Sequence, residues 1–169
     1  MKKSKEKSYI LPVLFIVPVV ILCVMLFALL RKPTSKTADF TPPPFDNSAQ
    51  QGTPNVPEEL GYSSPYKEGM AYRFSICGNV TLENGGAVVY LTNAAENQVW
   101  LKVRIIDESG KTLGESGLIK PNEYVRSVPL DTLPNSRVKI SLKIMGYEPE
   151  TYRSAGSVTL NTTVGGKSK

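Results

Sequence analysis

Histidine is absent from the 169 residues, which removes Ser-His-Asp and Cys-His catalysis together with the commonest zinc ligand sets. Cysteine is nearly absent. Cys23 lies in a long apolar run and Cys77 in a later stretch of alternating residues, so the two are not expected to pair within one chain. Carboxylates are present, but the close pairs Asp107/Glu108 and Glu148/Glu150 fall among turn residues, where neighbouring acids are ordinarily just solvated. Calcium would need an Asp-rich run at regular spacing, and none occurs. No catalytic residue, metal ligand or cofactor-binding residue is assigned, and the chain reads as a non-enzyme with no cofactor.

One fragment looks like chemistry. Gly110-Lys111-Thr112 ends as a phosphate-binding P-loop does, yet Ile105 stands where the first glycine of that loop belongs. The following "LGESGLIKP" carries glycines and a proline that cannot continue a helix. Asp107–Gly110, "DESG", reads instead as a tight turn between two strands, with Asp and Ser bonding back to the backbone.

What the sequence does have is an apolar run at its start. Ile10–Leu30 is 21 residues without a charge, about 31 Å as a helix, which matches the hydrocarbon core of a bilayer. The run is longer than a signal-peptide core and ends in "FALLRKP", with no small-x-small cleavage site. Residues 9–31 are therefore expected to be a single-pass signal-anchor helix. Residues 1–8, with Lys2, Lys3, Lys5 and Lys7 against Glu6, form a basic head that favours a cytoplasmic N-terminus and an extracellular remainder. The net charge of +5 divides into +3 for residues 1–8, −1 for 31–65 and +3 for 66–169. The basic balance thus comes partly from the anchor's flank, and no nucleic-acid partner is implied.

Residues 32–65 hold seven of the thirteen prolines amid Ser, Thr, Gln and Asn. Such a composition buries too little to offset its ordering entropy, so a flexible linker is expected. After Pro65 the period becomes two. "YRFSIC" sets Tyr72, Phe74 and Ile76 against Arg73, Ser75 and Cys77. "VWLKVRII" puts Val99, Leu101, Val103 and Ile105 on one side. "VKISLKIM" does the same with Val138, Ile140, Leu142 and Ile144, and "SVTLNTTV" with Val158, Leu160 and Val164. Asn84-Gly85-Gly86 is a hairpin signal, and further turn signals fall near 93–97, 107–110, 114–117, 121–122, 134–136 and 146–156. Residues 66–165 are expected to be all-β, an Ig-like antiparallel β-sandwich of about seven or eight strands. Residues 166–169 are a tail.

The pattern from "VRIIDESGKTL" through "ESGLIKPNEYV" resembles the ectodomains of short, single-pass, mostly uncharacterised surface proteins of Gram-positive bacteria. The match covers about residues 70–164. The resemblance implies an Ig-like or fibronectin-like sandwich displayed after an N-terminal anchor and a variable linker.

If the strands "VWLKVRII" and "VKISLKIM" are neighbours, their outward residues share one face: Trp100, Lys102, Arg104, Lys139 and Lys143. A basic face with an exposed aromatic suits an anionic partner: a wall polymer, lipid headgroups or an acidic surface of an envelope protein. The plainer reading is a solvated face whose lysines discourage aggregation. The chain is accordingly expected to act as an interaction or accessory module at the cell envelope. The alternative is a stand-alone inhibitor, an immunity-type protein or a structural surface protein.

Overall fold

The computed structural model describes residues 22, 25, 26, 40–63, 72–134 and 136–165. Of the expected membrane anchor, Leu22, Met25 and Leu26 are helical and exposed, and its other residues lie outside the described set. Among the described residues no helix is long and apolar enough to cross a membrane. Thr41–Lys169 forms a compact unit of its own.

That unit is all-β. Its strands are β1 (Gln50–Gln51), β2 (Phe74–Ser75), β3 (Thr81–Glu83), β4 (Gly86–Asn93), β5 (Trp100–Asp107), β6 (Thr112–Glu115), β7 (Glu123–Pro129), β8 (Val138–Tyr147) and β9 (Ser154–Val164). Two antiparallel sheets result, one in the order β1-β7-β4-β2 with β3 also on β4, the other in the order β6-β5-β8-β9. The alternation explains why they pack together. Phe74, Ala87, Val89, Leu91, Val125 and Val128 from the first sheet meet Leu101, Val103, Ile105, Ile140, Leu142 and Ile144 from the second in one core. Burying each of the larger side chains is worth about 1.5–3 kcal/mol. The turn expected at Asp107–Gly110 is present: Asp107 Oδ1 accepts hydrogen bonds from the Ser109 amide, the Ser109 hydroxyl and the Lys111 amide. The Ser109 hydroxyl contributes most to holding the Asp107 carboxyl below its ordinary value. The signal at 114–117 is displaced, because Thr112–Glu115 is a strand paired with β5.

The larger difference concerns the expected linker. Over residues 41–63 the chain is laid against the domain as a strap, while 32–39, 64 and 65 lie outside the described residues. Phe45 bridges Leu118, and the Asp46 amide donates to the Leu118 carbonyl at 2.9 Å. β1 pairs with the edge of β7 through Gln50–Tyr124 and Gln51–Glu123. Further along, Val56, Leu60 and Tyr62 cover Cys77, Val88 and Tyr90, a second apolar cluster outside the main core. Ser75 and Cys77, on the outward side of "YRFSIC", are thus buried too, and burial pushes the Cys77 thiol up to about 11. A proline-rich segment can do this because most of its docking uses backbone hydrogen bonds rather than a periodic apolar face.

Gly117 is what lets the strap approach. A Cβ there would stand 2.5 Å from the Asp46 nitrogen and 2.6 Å from its Cα, closer than real contacts permit. The Gly117 amide also donates to Asp46 Oδ2 at 2.8 Å. Gly117→Ala is therefore expected to cost about 1–3 kcal/mol and to speed amide exchange at Asp46 and Gly52 while the core of β8 stays protected. Unchanged exchange at Asp46 would refute the docking of the strap.

Candidate functional site: the outer face of the second sheet

β5 and β8 are adjacent, in a register that pairs Trp100 with Tyr147, Lys102 with Met145, and Arg104 with Lys143. All five expected face residues therefore lie on one side of the sheet, opposite the core. Their surroundings separate them into two groups.

Trp100 is not an exposed aromatic. Its ring is wedged edge-on between Phe45, with centroids 4.7 Å apart, and Tyr152 at 5.3 Å. Lys120 Nζ lies 4.9 Å from the Phe45 centroid on the same corner. Trp100 thus clamps the strap and the β8–β9 loop. Lys102 is not displayed either: its side chain is 8% exposed, and Nζ sits 2.6 Å from Glu115 Oε1. Glu115 comes from β6, directly opposite Arg104, whose Nε is 2.9 Å from the other carboxylate oxygen. One carboxylate thus serves two cations. Burial is the largest single influence on Glu115 and pushes its pKa up. The hydrogen bonds and charges of Lys102 and Arg104 together outweigh it and leave the carboxyl below its ordinary value of 4.5.

The open part of the face lies toward the other end of β8. Lys139 is 74% exposed, and its 3.4 Å pair with Glu108, itself 68% exposed, is the kind of surface contact worth little. Lys143 has no ion pair among the described residues. β9 completes this surface, since Thr159, Asn161 and Thr163 stand opposite Lys143, Ser141 and Lys139. A shallow recess of about 510 Å³ is lined there by Glu108, Lys139, Ser141, Asn161 and Thr163 among others. Asn161 Oδ1 accepts from the Ser141 hydroxyl at 2.8 Å. Four cations against Glu108 and Glu115 leave the face at a formal +2. The surface can hold hydroxyl, amide or carboxylate groups with neutral donors and the ammonium groups of Lys139 and Lys143.

Reading the sequence alone misses Glu115, because "LGESG" looks like a turn. It also passes over the β9 side chains, although the alternation of "SVTLNTTV" points Thr159, Asn161 and Thr163 outward. No protein-family model matches the chain, and no curated protein matches it.

Replacing Glu115 by Gln leaves the buried Lys102 ammonium without its counter-charge. Breaking a fully buried pair costs about 3–5 kcal/mol. With Glu115 39% exposed, a loss of about 1–3 kcal/mol is expected at neutral pH once solvent screening is allowed for. Because the folded-state value is depressed, this contribution is complete above the ordinary Glu range and is lost as pH falls through the lower folded value. Urea titrations of the wild type and Glu115→Gln should therefore differ by a constant amount from pH 6 to 8, and the gap should close as pH falls through the folded-state value, which lies below 4.5. A gap that stays constant throughout the acid limb would sink this account.

Proposed function

We propose that this chain is a non-enzymatic interaction module. It is anchored in the membrane by residues 9–31 and presents an Ig-like or fibronectin-like β-sandwich outside the cell, where it serves an envelope assembly. The sheet order β2-β4-β7 against β6-β5-β8-β9 supports the sandwich reading, with a long strand at one edge of the second sheet.

The observation that carries the functional reading is the unequal treatment of the two outer faces. The apolar part of the first sheet's outer face is covered by Val56, Leu60 and Tyr62 over Cys77, Val88 and Tyr90. The second sheet's outer face keeps Lys139, Thr159 and Asn161 exposed beside the half-buried Arg104 and Lys143. A chain that covers one face and leaves the other polar and cationic is arranged to meet an anionic or hydroxyl-rich partner on the open side. A wall polymer and an acidic patch of an envelope protein share that chemistry.

The informative variant neutralises only the displayed cations. Lys102 and Arg104 stabilise the sheet through Glu115, so replacing them confounds folding with binding. Lys139→Gln with Lys143→Gln is expected to lower retention on isolated envelopes about 2- to 30-fold, taking each exposed ion pair as about 0.2–1 kcal/mol, with the difference shrinking as salt is raised. Retention equal to wild type at low salt would overturn the reading. A photo-crosslinker at Asn161 in intact cells separates the partners: a discrete band means a protein, a smear means polymer.

A further inference from the structure

Among the described residues, the buried polar or charged side chains are Ser75, Thr92, Asn93, Lys102 and Ser116. The second sheet explains two of them. Lys102 pairs with Glu115, and the Ser116 hydroxyl accepts from the Val103 amide at 3.0 Å. The other three gather at one end of the first sheet, where Ser75 stands directly across from Thr92. They line a single depression of about 400 Å³, within the ~300–1,000 Å³ range of small-molecule sites.

Its floor is rigid and its walls keep unused polar groups. The Asn93 amide donates to the Val99 and Ile119 carbonyls at 2.9 and 3.1 Å, and its Oδ1 accepts from Asn97 at 2.6 Å. The Thr92 hydroxyl donates to the Tyr90 carbonyl at 3.3 Å and accepts from the Tyr62 hydroxyl. The Ser63 hydroxyl accepts from the Ile76 amide at 3.2 Å and keeps its own hydrogen to donate. The side chains of Thr53 and Asn122, also in the wall, have no hydrogen-bond partner among the described residues. Asn122 is nevertheless held in place. Its amide donates to the Asn93 carbonyl at 3.0 Å, its carbonyl accepts from the Gly52 amide at 2.7 Å, and its φ of 63° is one that asparagine tolerates.

We propose that this depression binds a neutral saccharide of mono- or disaccharide size. Charge argues against an ionic ligand. Glu96 is the one charged side chain among the described lining residues, and Arg73 already holds it at 3.0 Å. The donors and acceptors that remain are hydroxyls and an amide, which match sugar hydroxyls in kind. Tyr62, Ala94 and Ala95 supply apolar surface for the C–H groups of a ring. An extended peptide would instead add its backbone to a free edge. Here the Asn93 and Asn122 carbonyls and the Gly52 amide are already occupied by one another.

The proposal does not rest on the anionic-partner reading of the second sheet, whose binding should weaken with salt. It is tested on the full chain in a detergent without a sugar headgroup, by saturation-transfer NMR. The probes are N,N′-diacetylchitobiose, cellobiose and maltose, with triglycine as an amide-rich probe that has no ring. At least one disaccharide should take up saturation at its ring C–H protons, with an affinity that added salt leaves unchanged, and triglycine should not. Thr53→Val with Asn122→Gly removes two polar groups while glycine keeps the turn conformation. This double variant should bind the sugar about 5- to 100-fold more weakly, with its thermal unfolding midpoint within a few degrees of wild type. Lys139→Gln with Lys143→Gln should bind it as wild type does, which separates this site from the cationic face. Absence of saturation in all three disaccharides, equal uptake by triglycine, or wild-type affinity in the Thr53/Asn122 double variant would each overturn the proposal.

Discussion

Backbone N–H and C=O groups at the border of a sheet need partners, and in a two-layer β domain that demand decides which surfaces are closed and which are left open. The strap at 41–63 is the chain's answer on one side. It supplies a strand to β7, donates and accepts at Leu118, and covers the apolar cluster around Cys77. These tasks need little apolar periodicity. They need a chain that stays extended, which proline favours, and a groove floor without side chains at Gly117. The strap is also what half-buries Trp100, through Phe45. One docked segment thus sets the exposure of residues on both sheets.

The sheets themselves were legible because their signal is local. Val138, Ile140, Leu142 and Ile144 alternate with Lys139, Ser141 and Lys143, and the folded strand follows that parity, as β5 does for Leu101, Val103 and Ile105. The adjacency of β5 and β8 was also within reach. Burial on the outer side was not. Lys102 and Lys139 have the same parity and the same side chain, yet one is nearly inaccessible and the other extends into water. The difference comes with Glu115 on β6, which no short window around Lys102 contains. Parity says which way a side chain points, and only the tertiary neighbours say whether water reaches it.

The same limit explains the linker. Composition measures how much apolar surface a segment could bury by itself, and for 41–63 that is little. It does not measure how many backbone hydrogen bonds a neighbouring edge offers. Gly52 donates to the Asn122 carbonyl at 2.7 Å and Leu118 donates to the Pro44 carbonyl at 2.9 Å, and neither bond leaves a trace in side-chain pattern. Each such bond nets about 0.5–1.5 kcal/mol, and proline has already reduced the conformational freedom that the segment loses on docking.

The cationic face is weak as a single contact. A formal +2, with one of its cations already loosely paired, offers an anionic partner only about one or two kcal/mol. A repetitive anionic partner such as a polymer can engage several copies at once, each further contact forming at an effective concentration set by the spacing of its charges rather than by the solution. A partner with a single acidic patch has no such gain, so the weakness of the face is itself an argument about which kind of partner could use it.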